Sequence, residues 1–104
     1  MTAAEVSDVD PGAALAVLMV DPQVLRRFAY ALELRIAGFH VMEASSIEEA
    51  MTLLKVSDDI GLVVVDRESA ELVAWLREER STVGVVFMNG ATAPPQLVQH
   101  VSDR

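Results

Sequence analysis

Leu15-Ala16-Val17-Leu18-Met19-Val20 is apolar at every position, and this run constrains the fold more than any other feature. A half-buried strand alternates apolar and polar side chains. A run without alternation suits a strand covered on both faces, as in a parallel sheet between helix layers. Leu62-Val63-Val64-Val65 repeats the pattern with β-branched residues. Val83-Gly84-Val85-Val86-Phe87-Met88 is a third such run, and Asn89-Gly90 closes it. Phe39 to Ala44 predicts a shorter strand.

Helical patterns separate these runs. Asp21 suits an N-cap and Pro22 a first helical residue. Leu25, Ala29, Leu32 and Ile36, with Phe28 beside them, then form the apolar stripe by which a helix packs, and Gly38 stops it. Ser46-Ile47-Glu48-Glu49 reads as a capping box. Ile47, Ala50, Met51 and Leu54 fill one face of the helix that follows. Leu72, Trp75 and Leu76 mark a third helix ending near Arg80. Thr92 can cap a last short helix, with Pro94 and Pro95 in its first turn and Leu97 and Val101 facing inward. The order βαβαβαβα, with short right-handed connections, predicts an α/β fold: a central parallel sheet between two helix layers.

Composition sets the outer bounds. The chain has 104 residues, 52% of them apolar, which suits one domain with one core. Residues 1–14 are small and acidic with a Pro11-Gly12 breaker, and read as a flexible leader before a domain at 15–104. The leader has no basic start, so it is not a secretory signal. No apolar run approaches the roughly 20 residues that cross a bilayer. A cytoplasmic protein without membrane contact is the expectation. The absence of cysteine excludes disulfides and thiolate metal sites. Sixteen acids against eight bases give a net charge of −8, which disfavours direct nucleic-acid binding.

The pieces together resemble the receiver domain of two-component response regulators (the CheY-like, flavodoxin-like fold). Leu18-Met19-Val20-Asp21, a helix carrying Arg26-Arg27, and Ala37-Gly38-Phe39-His40-Val41 are similar to the opening of that family. Glu43 to Ala50 is similar to its second strand-helix junction. Leu62-Val63-Val64-Val65-Asp66 resembles its third strand, and Val85 to Gly90 its fourth. The resemblance covers roughly 14–101 and implies strand order 2-1-3-4. Asp21 and Asp66 would then lie at the carboxyl ends of adjacent strands, at the switch point where open α/β sheets bind ligands. By the resemblance, Asp66 is the phosphoacceptor, Asp21 the acid-pocket and metal candidate, and Asn89 the switch position. Arg67 is a cation beside the anion site.

The sequence also departs from the family pattern. The second acid after the first strand is replaced by Pro22, which cannot ligate a metal. Asn89 stands where the family has Thr or Ser. The segment Arg67-Glu68-Ser69-Ala70 is about three residues shorter than the family loop. The fifth strand, its Lys and the fifth helix have no counterpart when the chain is aligned through the family's fourth helix, the alignment adopted. An alternative places 94–101 on the fifth helix with the preceding αβ unit deleted. Such a site would hold Mg²⁺ weakly, and phosphorylation of Asp66 would be slow or absent.

Plainer roles stand beside these. Asp21 alone serves as a helix N-cap, Asn89-Gly90 as a turn, Trp75 and Met19, Met42, Met51 and Met88 as core, and Arg26 and Arg27 as a solvated helix face. His40 and His100 lack metal-ligand spacing. Two other function classes remain. An aspartate-nucleophile phosphoryl-transfer enzyme would resemble Asp-x-Asp, but Asp66-Arg67-Glu68 offers Glu. A nucleotide binder would need a Gly-rich turn after the first strand. The reading adopted is a receiver-like signalling domain, not a turnover enzyme. It would bind a histidine kinase or another regulator, with or without phosphorylation. A phosphorylation-competent piece of a longer regulator is the alternative. The apolar fourth strand, as a sheet edge, predicts a homodimer or domain-exchanged assembly through that strand, the last helix or both.

Overall fold

The computed structural model describes residues 16–65, 70–88 and 94–102, with the side chains of His100 and Ser102 left out. In chain order the elements are β1 (Ala16–Val20), α1 (Val24–Ile36), β2 (His40–Ala44), α2 (Ile47–Val56), β3 (Ile60–Val65), α3 (Ala70–Glu79), β4 (Gly84–Phe87) and α4 (Pro94–Ser102). The four strands form one parallel sheet in the order β2-β1-β3-β4, the expected order. All five residues of β1 are buried, as an apolar run in a central strand requires.

Alternate residues of β1 feed two cores, because successive side chains leave a strand on opposite faces. Ala16, Leu18 and Val20 join Ala50 and Leu54 of α2 and Leu72 and Leu76 of α3. Val17 and Met19 join Tyr30 and Leu34 of α1 and Leu97 and Val101 of α4. Trp75, Met42 and Met51 pack at the margin of the first core. Met88 lies in the second. Ser46 caps α2, its hydroxyl accepting from the Glu49 N–H at 3.1 Å. The returning Glu49 carboxylate reaches one residue further back than a capping box predicts, to the Ser45 N–H at 2.7 Å and the Ser45 hydroxyl at 2.9 Å. Arg80, just after α3, donates to the carbonyls of Leu54 and, at 3.2 Å, Ser57. It thus satisfies carbonyl groups at the end of α2 that no helical partner can reach.

Two expectations are corrected. First, α1 starts at Val24, with Gln23 in the N-cap place and no side-chain cap; Asp21 and Pro22 precede it. Second, the stripe Leu25, Phe28, Leu32 and Ile36 faces solvent, and the helix packs through Tyr30, Ala31 and Leu34 instead. The helix has apolar residues on opposite sides, and spacing alone does not say which side the sheet takes. Helix α4 lies on the α1 face, Leu97 and Val101 packing with Tyr30 and Leu34. The right-handed step β3-α3-β4 puts α3 on the other face, and a further outward step would put its helix there too. A helix that returns beneath the sheet after β4 fits the alternative alignment, in which an αβ unit is left out and 94–101 match the family's last helix. The expected leader, 1–14, lies outside the described residues.

Candidate functional site

The sheet's register builds the site. Val20, the last residue of β1, pairs with Ala44 of β2 and Val65 of β3, and Val65 pairs with Phe87 of β4. The strands therefore end level, and β1 and β3 are neighbours at the point where the connections diverge. The Asp21 N–H continues the β1–β2 ladder by donating to the Ala44 carbonyl at 3.0 Å. This anchors the residue at the carboxyl edge of the sheet. In the sequence Asp66 follows Val65 directly. Asp66, Arg67 and Asn89 lie outside the described residues, as does Thr92.

Asp21 is completely buried. A buried carboxylate is costly unless paired and hydrogen-bonded, and this one is both. Arg26 grips it in a two-point fork, Nε to Oδ2 at 2.5 Å and Nη2 to Oδ1 at 2.9 Å. Oδ1 also accepts the Gln23 N–H at 2.9 Å. Asp21 thus closes an Asx-type turn two residues on rather than capping the helix itself. Burial pushes its pKa up, but the Arg26 hydrogen bonds, the Gln23 N–H and the charges of Arg26 and Arg27 outweigh burial. Together they hold the carboxyl below its usual 3.8. Tyr30, buried one helical turn beyond Arg26, has its phenol pKa raised, chiefly by burial.

A second cluster adjoins the first. Arg27 Nη1 donates to the Asp21 carbonyl at 3.0 Å, and its Nε to Glu43 Oε1 at 3.0 Å. Arg35 takes the other Glu43 oxygen at 3.1 Å and the Val41 carbonyl at 3.0 Å. Arg26 and Arg27 are therefore not the solvated face that the sequence suggested. Both turn toward the end of β1 because Asp21 and Glu43 are there. Sequence reasoning missed Arg26, Arg27 and Glu43 as site residues. The available signal was the spacing from Asp21 to Arg26, just over one helical turn beyond the strand end.

A divalent ion held by oxygen ligands would find the described acid already engaged. Both Asp21 oxygens already accept N–H groups, and Pro22 brings no ligand. Among the described residues no cluster of three or more His, Cys, Asp or Glu could hold a metal. His40 is exposed on β2.

No protein-family model matches the sequence, and no curated protein does. Solved structures do match. A response regulator receiver protein from Pseudomonas putida is 26% identical over 85% of this chain and 78% of that one, with a TM-score of 0.66. A two-component response regulator/GGDEF domain protein is also 26% identical, with a TM-score of 0.75; 88% of this chain spans only 49% of that one, about half its length. An orphan response regulator of H. pylori matches at 16% identity over 88% and 96% of the two chains, with a TM-score of 0.78, a likeness of fold alone. Strand order, the two helix layers and these neighbours agree: the chain carries the receiver-domain fold of two-component response regulators.

Proposed function

We propose that this chain is a receiver-like module of two-component signalling that acts by binding partner proteins. Asp66 stands at the phosphoacceptor position, and the metal pocket beside it is closed by an internal arginine. The observation that carries this reading is the Arg26–Asp21 fork. Phosphoryl transfer to a carboxylate needs charge neutralisation at the transferring group, which a hard divalent ion supplies where oxygen ligands hold it. Here the acid that would hold the ion is already neutralised. Mg²⁺ binds weakly in consequence, and phosphorylation of Asp66 is slow or absent. Arg67 and Asn89, the neighbours of the anion site in sequence, complete the assignment. Output passes by contact with a signalling protein, a histidine kinase or another regulator, in the cytoplasm. No helix among the described residues is long and apolar enough to cross a membrane. The neighbours are signalling domains, and a turnover enzyme is not proposed.

A second reading, a phosphorylation-competent unit of a longer regulator, is favoured by the half-length match to the response regulator/GGDEF protein. Thermal melting with increasing Mg²⁺ separates the two. A ligand that binds only the folded state raises Tm. Under the first reading millimolar Mg²⁺ leaves the Tm of the parent unchanged. A rise in the parent that disappears in Asp21→Asn would establish a working metal pocket and favour the second.

A further inference from the structure

Helix α1 is apolar on two sides, and the sheet covers one. Leu25, Phe28, Leu32 and Ile36 point away from it, 83%, 53%, 42% and 71% exposed, with Val24 beside them at 62%. Among the described residues these are five of the seven exposed large apolar side chains; Val56 and Phe87 stand apart on other elements. A contiguous exposed apolar stripe rimmed by polar side chains marks an interaction surface. We propose that this stripe is the contact between two copies of the chain. They pair antiparallel about a two-fold axis, so that Leu25 of one copy meets Ile36 of the other and Phe28 and Leu32 pack around the axis. The proposal is independent of whether Asp66 is phosphorylated.

Area supports a second copy as the occupant. The stripe presents on the order of 500 Å², at the upper end of the largest patch on an ordinary monomer. Two stripes face to face cover about 1,000 Å², the lower bound of a specific interface. The dimer is accordingly a weak one that dissociates on dilution. Charge agrees. The helix carries three of the chain's eight bases and one of its sixteen acids, so the acidity that sets two copies against each other is not concentrated on this element. The three arginines are already engaged with Asp21 and Glu43. They offer little to draw an acidic foreign partner, and attraction rests on apolar contact. Of the two elements expected to form a dimer face, β4 exposes one large apolar side chain, Phe87, and α4 none among its described side chains.

Light scattering across a dilution series tests the pairing. The parent should have the mass of a dimer at high micromolar concentration and of a monomer when dilute. Leu25→Glu with Ile36→Glu sets carboxylates against each other across the contact. This variant should remain monomeric at every concentration, with the Tm of the dilute parent, and Phe87→Lys should dimerise as the parent does. A parent monomeric throughout, a double variant that still dimerises, or a monomeric Phe87→Lys would overturn the proposal. Should the double variant fail to fold, cross-linking decides, because the chain has no cysteine of its own. Leu25→Cys mixed with Ile36→Cys should oxidise to a mixed disulfide faster than either chain alone, and faster self-linking of either would overturn the antiparallel pairing.

Discussion

The candidate site turns on the two-point grip of Arg26 on the buried Asp21. Its place at the end of a buried strand followed from the apolar run before it. Its environment did not, because the guanidinium that neutralises it comes from a helix whose rotation the sequence leaves open. Removing Arg26 strands a buried carboxylate, and breaking one side of a buried pair costs about 3–5 kcal/mol. Arg26 is partly exposed, at 29%, and Asp21 keeps the Gln23 N–H and the Arg27 charge. The expected cost of Arg26→Ala near neutral pH is therefore toward the low end, about 3 kcal/mol by urea denaturation. The sign with pH is fixed. The folded pKa of Asp21 lies below its unfolded value near 3.8, so the stabilisation is fully present above that value and is lost as pH falls below it. The gap between parent and Arg26→Ala should therefore narrow as pH falls through the acid range. A gap independent of pH would deny Asp21 its role.

At the scale of elements, the strands were the most legible parts. β1, β3 and β4 are short apolar runs with no competing helical reading, and the Ser46 cap and the inward Ala50, Leu54, Leu72, Leu76, Leu97 and Val101 followed from spacing. The rotation of α1 was not legible, since Leu25, Leu32 and Ile36 form as good a stripe as Tyr30, Ala31 and Leu34. The structure makes the difference measurable. Leu34→Ala empties a fully buried site and should cost about 2–5 kcal/mol. Leu25→Ala, 83% exposed, should change the stability of dilute protein by less than about 0.5 kcal/mol. Comparable losses at both positions would mean that α1 is rotated from the position described. Gly38 at φ 102° joins α1 to β2, in a conformation that side chains with a Cβ rarely adopt. The sequence marked that stop correctly.

For the whole molecule, the parallel sheet followed from the alternation of elements and the handedness of their connections, and its strand order from the family resemblance. The layer to which α4 belongs did not. A helix of nine residues after the last strand satisfies the sequence pattern on either face. Its packing under Tyr30 and Leu34 was decided by tertiary contact. The result is a receiver fold with β4 at the end of its sheet and α4 folded back beside α1. Arg26 grips the buried Asp21 from within, and two sides of α1 are apolar.

Intact mass after incubation with acetyl phosphate and Mg²⁺, for the parent and Asp66→Ala, decides whether Asp66 accepts a phosphoryl group. Neither protein should gain a phosphoryl increment, because the Arg26 fork holds the acid that a metal would need. An increment in the parent that is absent from Asp66→Ala would contradict this, making this chain a working phosphoacceptor despite the closed pocket.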